Sequence, residues 1–176
     1  MRILSLDLST KSSGVAILET TNSSKINLVK YECICASSTD VLQRIKKICE
    51  GIKNFTEKEK FDYVIFEEVR PESKYGAKNQ HTQRVLSWLQ GEVAMIIHDY
   101  VDKKMKFEFI YPNEWRAACG IHTGAGVKRA SLKPADIDFV KKTYKIEVND
   151  DIADAIGVGY GWIKKNLKEE DEINWE

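Results

Sequence analysis

No apolar run in this sequence approaches the roughly 20 residues needed to cross a bilayer. Its opening, MRILSLD, has neither the long apolar stretch nor the small-residue cleavage site of a secretory leader. A membrane association is therefore not expected, and the cytosol is the expected location. Cysteine is present but not in metal-binding order: Cys33, Cys35, Cys49 and Cys119 form no CxxC pair and no Cys/His ladder. That excludes a structural zinc module and leaves the four as reduced thiols. The phosphate-binding pattern G-x-x-x-x-G-K-[ST] is also missing, because GAGVK at 124–128 fails its spacing. There is no internal repeat and no low-complexity tract.

Net charge is absent too, with 27 Lys/Arg against 27 Asp/Glu. That total speaks against a nucleic-acid partner, but the distribution does not. Residues 103–145 hold ten Lys/Arg and four acids, a net of +6, whereas residues 147–176 hold nine acids and three lysines, a net of −6. A basic track for phosphates leading to an acidic, cation-binding centre would divide this way, and so would two solvated faces. At 176 residues, 43% apolar and 31% charged, the chain fits one globular domain, assigned to 1–168, with an acidic and frayed tail at 169–176.

What is present is a clear order of elements. Alternating apolar and β-branched residues predict strands over 2–8, 14–19 and 27–36, joined by short polar turns into an antiparallel meander. Val41, Leu42, Ile45, Ile48, Ile52 and Phe55 then recur at helical spacing behind Asp40, a natural N-cap. FDYVIFEEV and FEFIY read as buried strands flanking a helix over 84–103, whose apolar residues include Val85, Trp88, Leu89, Val93, Ile96, Ile97 and Tyr100. A strand, helix, strand unit of that length implies parallel pairing. PNEWRAAC predicts a helix capped by Asn113, and KPADIDFVKKTY another. The last helix starts at Asn149 or Asp150. The fold class is α/β: a five-stranded mixed sheet, three strands antiparallel and two parallel, flanked by helices.

Five acids break this pattern. Asp7 lies in the first strand, Glu67 and Glu68 end the fourth, and Asp151 and Asp154 open the last helix. A carboxylate in a core strand costs several kcal/mol unless it is paired or binds a cation. The first and fourth strands can lie side by side, bringing Asp7 near a glutamate, and the i, i+3 spacing puts Asp151 and Asp154 on one helix face. Gly157, Gly159 and Gly161 would let that helix approach the sheet closely, although each costs about 1 kcal/mol of helix propensity. Crowded carboxylates repel and raise one another's pKa. A divalent cation removes the conflict, and an all-oxygen ligand set favours Mg²⁺ or Mn²⁺. Singly, each acid reads as well as a turn residue, a helix cap or a surface charge.

Together, LSLDLSTKSSGVAIL, DYVIFEEV and NDDIADAIGVG resemble, in order and spacing, the three acidic motifs of RuvC-type Holliday junction resolvases, members of the ribonuclease H-like superfamily. The resemblance spans residues 2–163. It implies a homodimeric endonuclease that nicks four-way and other branched DNA, in a bacterial or phage-infected cell, with two Mg²⁺ ions per site for which Mn²⁺ can substitute. It implies that Asp7, Glu67, Asp151 and Asp154 are the metal-binding and catalytic acids. Periodicity alone leaves Glu67 and Glu68 open, and the family's glutamate, which directly follows the apolar strand, favours Glu67. The acid spacing suggests a mechanism in which one ion is held by Asp7 and an aspartate of the last helix and the other by Asp7 and Glu67, with Lys133 or Arg116 offsetting charge on the phosphorus.

Lys133 and Arg116 fall where the family keeps basic residues near the scissile phosphate, and Lys128 and Arg129 sit on a glycine-flexible loop suited to backbone contacts. Bacterial members carry an aromatic wedge soon after the catalytic glutamate. This chain instead reads EEVRPESKYGAKNQ, with Arg70, Lys74, Tyr75 and Lys78 as the DNA-contacting candidates. The longer GIHTGAGVKRAS segment and the near-neutral charge resemble phage-encoded members. Two rivals remain: a sugar-kinase or actin-like ATP-binding lobe, suggested by DLSTKSSG but disfavoured by chain length, and a non-catalytic or RNA-directed binder of branched nucleic acid.

Overall fold

In the computed structural model, which describes residues 1–22, 25–68, 76–100, 105–124 and 127–173, the elements follow the expected order. The strands are β1 (Arg2–Asp7), β2 (Ser12–Asn22), β3 (Lys25–Cys35), β4 (Tyr63–Glu67) and β5 (Lys106–Ile110). The helices are α1 (Val41–Thr56), α2 (Gly76–Tyr100), α3 (Pro112–Ala118), α4 (Arg129–Tyr144) and α5 (Asp150–Ile173). The sheet order is β3-β2-β1-β4-β5. β1 pairs antiparallel with β2 and parallel with β4, and β4 pairs parallel with β5.

Strand parity divides the core in two. Leu4 and Leu6 face α1 and α2 together with Ile48, Ile52, Leu89 and Val93. Ile3 and Ile65 face the other way, among Trp115, Val140, Ala155 and Ile156 of α3, α4 and α5. Because side chains alternate along a strand, Ser5 and Asp7 share the side of Ile3, and Glu67 shares the side of Ile65. The β1/β4 register pairs Ser5 with Ile65 and Leu6 with Phe66, so its continuation sets Asp7 beside Glu67. The register thus distinguishes the two glutamates that periodicity left open: Glu67 ends β4 on the Asp7 side, and Glu68 lies past the strand.

Local signals explain most element ends. Asp40 Oδ1 accepts from the Leu42 N–H at 2.8 Å and caps α1, and Asn149 Oδ1 accepts from Ile152 N–H at 2.9 Å and caps α5. α3 differs from expectation: its N-cap is Tyr111 rather than Asn113, with Pro112 in the first turn and Glu114 Oε2 accepting from the Tyr111 N–H at 3.2 Å. Proline suits a first turn, where its missing N–H has no helical partner to lose. α2 begins at Gly76 rather than 84, because its first turns carry no apolar stripe for periodicity to detect. Within α2, Val85, Leu89, Val93 and Ile97 are buried, whereas Trp88 is 50% exposed.

The glycines of α5 are spent on two different neighbours. A Cβ at Gly159 would lie 2.7 Å from Ser5 Oγ and from a Leu18 methyl, so this position seats α5 on the sheet. Cβ atoms at Gly157 and Gly161 would instead strike Trp115, the former its ring at 2.4 Å and the latter its backbone Cα at 2.6 Å. Trp115 is 0% exposed, and the notch left by these two glycines is where it fits. Gly14, paired with Asp7 across β1 and β2, admits the start of α5, since a Cβ there would overlap the Asp151 carbonyl oxygen at 1.8 Å.

These contacts separate glycines that look alike in sequence. Gly161→Ala is expected to destabilise the protein by about 1–3 kcal/mol through overpacking against backbone. Gly91→Ala, in α2 with open space around it, is expected to stabilise by about 0.5–1 kcal/mol through reduced unfolded-state entropy. Thermal denaturation of the two variants checks both signs.

Candidate active site

Asp7 leaves the end of β1 into a cleft of about 500 Å³ whose lining includes Glu67, Glu68, Arg116, Lys133 and Asp154. The sheet supplies the first two acids and the close seat of α5 supplies Asp154. Burial is the main force on the Asp7 carboxyl, followed by the charges of Glu67 and Asp151. Together they push its pKa up to about 8, against the pull of Lys133 and Arg116. Asp154 is 9% exposed, and its pKa is pushed up to about 9 by burial, by the charge of Asp7 and by hydrogen bonding to Asp136. Its Oδ1 is buried and accepts no hydrogen bond.

Glu67 and Asp151 have protein partners. Trp115 Nε1 donates to Glu67 Oε2 at 2.7 Å, and Gln90 Nε2 donates to the Glu67 carbonyl at 3.1 Å. The Ser12 hydroxyl donates to Asp151 Oδ2, and the Cys33 thiol lies 3.9 Å from the same oxygen. Asp151 thus turns toward β2 and β3 while still acting on Asp7 electrostatically. Cys33 and Cys35 lie side by side on that face, sulfurs 3.7 Å apart, as the C-x-C alternation suggests. Lys133 on α4 pairs with Asp150 rather than with a cleft acid. That pairing raises the lysine's pKa and lowers the aspartate's. Arg116 is held by Asp136: Nε lies 3.1 Å from both carboxylate oxygens and Nη2 lies 2.8 Å from Oδ2.

The structure therefore gathers Asp7, Glu67, Asp154, Arg116 and Lys133 in one cleft, with Asp151 at its flank. Lys128 is exposed at the N-cap of α4, outside the cleft lining. Arg70, Lys74 and Tyr75 lie outside the described residues, as do the side chains of Lys78 and Arg129. Four contributors are not evident in the sequence: Gly14, Ser12, Trp115 and Asp136. Only Gly14 and Trp115 carry a sequence signal, a glycine within a strand and a tryptophan beside Arg116. Neither signal says which partner it meets.

Among the described residues no three acidic, histidine or cysteine side chains are already drawn together tightly enough to enclose an ion. The donor chemistry nevertheless fits a hard divalent cation. Asp154 presents a buried oxygen with no hydrogen bond, Asp7 is a carboxyl whose pKa is pushed up by burial and by neighbouring acids, and the side-chain donors of these acids are all oxygen.

A sheet in this order, with acids on its central strands and on a helix packed across them, defines the ribonuclease H-like class. The family model for crossover junction endodeoxyribonuclease RuvC matches residues 3–160. The chain belongs to the RuvC family, and by class it is an endodeoxyribonuclease. Solved structures agree in fold. Thermus thermophilus RuvC in complex with a Holliday junction substrate superposes with a TM-score of 0.72 at 13% identity, covering 95% of this chain and 96% of that one. The fowlpox virus Holliday junction resolvase gives 0.58 at 17% identity, covering 95% and 100%. The yeast mitochondrial Holliday junction resolvase Ydc2 gives 0.58 at 14%, covering 97% and 83%. No curated protein matches the sequence. The family assignment displaces the sugar-kinase or actin-like alternative.

The raised carboxyl pKa values fix the sign of a pH effect. A carboxyl whose folded pKa exceeds its unfolded value stabilises the fold fully below the unfolded pKa, near 4, and loses that contribution as pH rises through the folded pKa. Held in chelator, the protein is expected to melt at progressively lower temperature from about pH 5 to about pH 9. Mg²⁺ is expected to raise the melting temperature more at the alkaline end, where the acids are ionised and binding costs no proton. Differential scanning fluorimetry across pH, with and without the ion, checks this.

Proposed function

We propose that this protein is a metal-dependent resolvase that nicks four-way DNA junctions by hydrolysing one phosphodiester in each of two symmetrically placed strands. The observation that carries the reading is the under-compensated acid cluster of Asp7, Glu67 and Asp154 in a single cleft, with a buried Asp154 oxygen lacking a hydrogen bond. One Mg²⁺ held by Asp7 with an aspartate of α5, and a second held by Asp7 with Glu67, would supply activation of the attacking water and stabilisation of the leaving 3′ oxygen.

The chain's own residues perform the remaining tasks. Asp7, on the rigid end of β1, would be the ligand shared by both ions. Asp151, now bonded to Ser12, would serve as a further ligand if that hydrogen bond were released. Lys133, exposed and paired among the described residues with Asp150, would follow an arriving phosphate and offset its developing charge. Arg116 is pinned by Asp136 and contributes a fixed positive field. The scissile phosphate is drawn in by the basic stretch of residues 103–145, through contacts that weaken as salt rises.

A junction with two-fold symmetry calls for two copies of the site. On α2, Leu89 is core. Trp88 is 50% exposed beside an apolar groove of about 390 Å³ between α1 and α2, lined by Leu42, Ile45 and Ile96. We propose that a second copy of the chain covers this face.

Two measurements test these statements. With a labelled four-way junction and Mg²⁺, Asp7→Asn is expected to lower the cleavage rate more than about 100-fold, since a lost metal ligand costs several kcal/mol of transition-state stabilisation, while junction binding persists. Wild-type binding without cleavage in any divalent cation would favour the non-catalytic alternative, and preferential cleavage of branched RNA the RNA-directed one. In sedimentation velocity the protein is expected to run as a dimer and Trp88→Glu as a folded monomer.

A further inference from the structure

We propose that Asp136 is a positioning residue that sets the cation affinity of the acidic cleft by holding the Arg116 guanidinium off Asp154. The inference rests on the metal-dependent reading above and assigns a role to a residue that none of the acidic motifs contains. Asp136 lies on α4, is 0% exposed, and directs both carboxylate oxygens at Arg116 through three N–H contacts of 2.8–3.1 Å. A planar guanidinium held in this forked way has its orientation fixed as well as its charge. The ring of Trp115 closes the opposite side, 4.2 Å from the guanidinium carbon.

Held there, Arg116 reaches Asp154 only by an ion pair of 3.6 Å to Oδ1, too long for a hydrogen bond. That oxygen consequently remains buried with no hydrogen bond. Without Asp136, Arg116 would have lost its bidentate partner, and Asp154 would be its nearest remaining carboxylate. An arginine that completes that hydrogen bond satisfies and neutralises a proposed metal ligand, so an entering cation would have to displace it. The tool of control is distance: Asp136, which also meets Asp154 directly, keeps positive charge close enough to offset repulsion among the acids and far enough to leave Asp154 Oδ1 without a hydrogen bond.

A purely structural alternative is that the Asp136–Arg116 pair serves only to tie α4 to α3. The two readings differ in metal binding by the protein without DNA, measured by the loss of the free Mn²⁺ paramagnetic resonance signal on titration. Asp136→Asn is expected to raise the Mn²⁺ dissociation constant by about tenfold or more, the scale of lost support behind a metal ligand. The double variant Asp136→Asn/Arg116→Gln, which removes the competing cation as well, is expected to return to within about threefold of wild type. A folded Asp136→Asn with wild-type Mn²⁺ affinity, or a double variant as weak as the single, overturns the proposal. If Asp136→Asn does not fold, Asp136→Glu decides: it preserves the ion pair but pushes the guanidinium toward Asp154, and an unchanged Mn²⁺ affinity overturns the proposal. Failure of the unaltered protein to bind Mn²⁺ overturns the metal-dependent reading and this inference with it, whereas binding indifferent to residue 136 overturns this inference alone.

Discussion

The close seat of α5 on the middle of the sheet is the constraint on which the rest depends. Helices commonly pack with side chains between their backbone and a neighbour, at axial separations near 8–10 Å. Here Gly159 meets Ser5 and Leu18 directly, and Gly14 lies under the Asp151 carbonyl. That proximity delivers Asp154 to the end of β1 and makes an acid cluster out of residues nearly 150 positions apart in sequence. The helix surrenders propensity at Gly159 for this seat and at Gly157 and Gly161 for Trp115, which core packing around Trp115, Ala155 and Ile156 has to offset.

Electrostatic tension follows from the same geometry. Three acids share a cleft, two of them with pKa values near 8 and 9, and the nearby cations are mostly committed elsewhere: Lys133 to Asp150 and Arg116 to Asp136. Evolution of a stable fold alone would relieve such a cluster by replacing an acid, because a buried charge without a partner is among the costlier features of a protein interior. Such a cluster is intelligible if the missing partner arrives from solution. Folded stability and cation binding are then linked, and conditions that ionise the acids are those in which the cation contributes most.

Much of this was legible in the sequence, for identifiable reasons. Strands β1 to β3 and the stripe on α1 are marked by strong periodicity, and Asp40 and Asn149 are short polar side chains at helix starts, where capping is a local interaction. Asp7, Glu67 and Asp154 stood out because each contradicts its apolar neighbours. What was hidden depends on contacts distant in the chain. Asp136 looks like one more polar residue of a charged helix, and only the arrival of Arg116 from α3 shows that it is buried. Ser12 reads as turn chemistry until α5 brings Asp151 against it. The start of α2 escaped because GAKNQHTQ has no apolar face to betray a helix.

Trp115 and the two glycines opposite it also constrain how this protein can change over time. Gly157 can accept a larger side chain only if the indole withdraws and Gly161 only if the Trp115 backbone shifts, and the indole cannot shrink without leaving a void between α3 and α5 and removing the Trp115 hydrogen bond to Glu67. Arg116, the next residue in the chain, stacks on the same ring. These positions are packed as one unit, so a change at any one of them asks for compensation at the others.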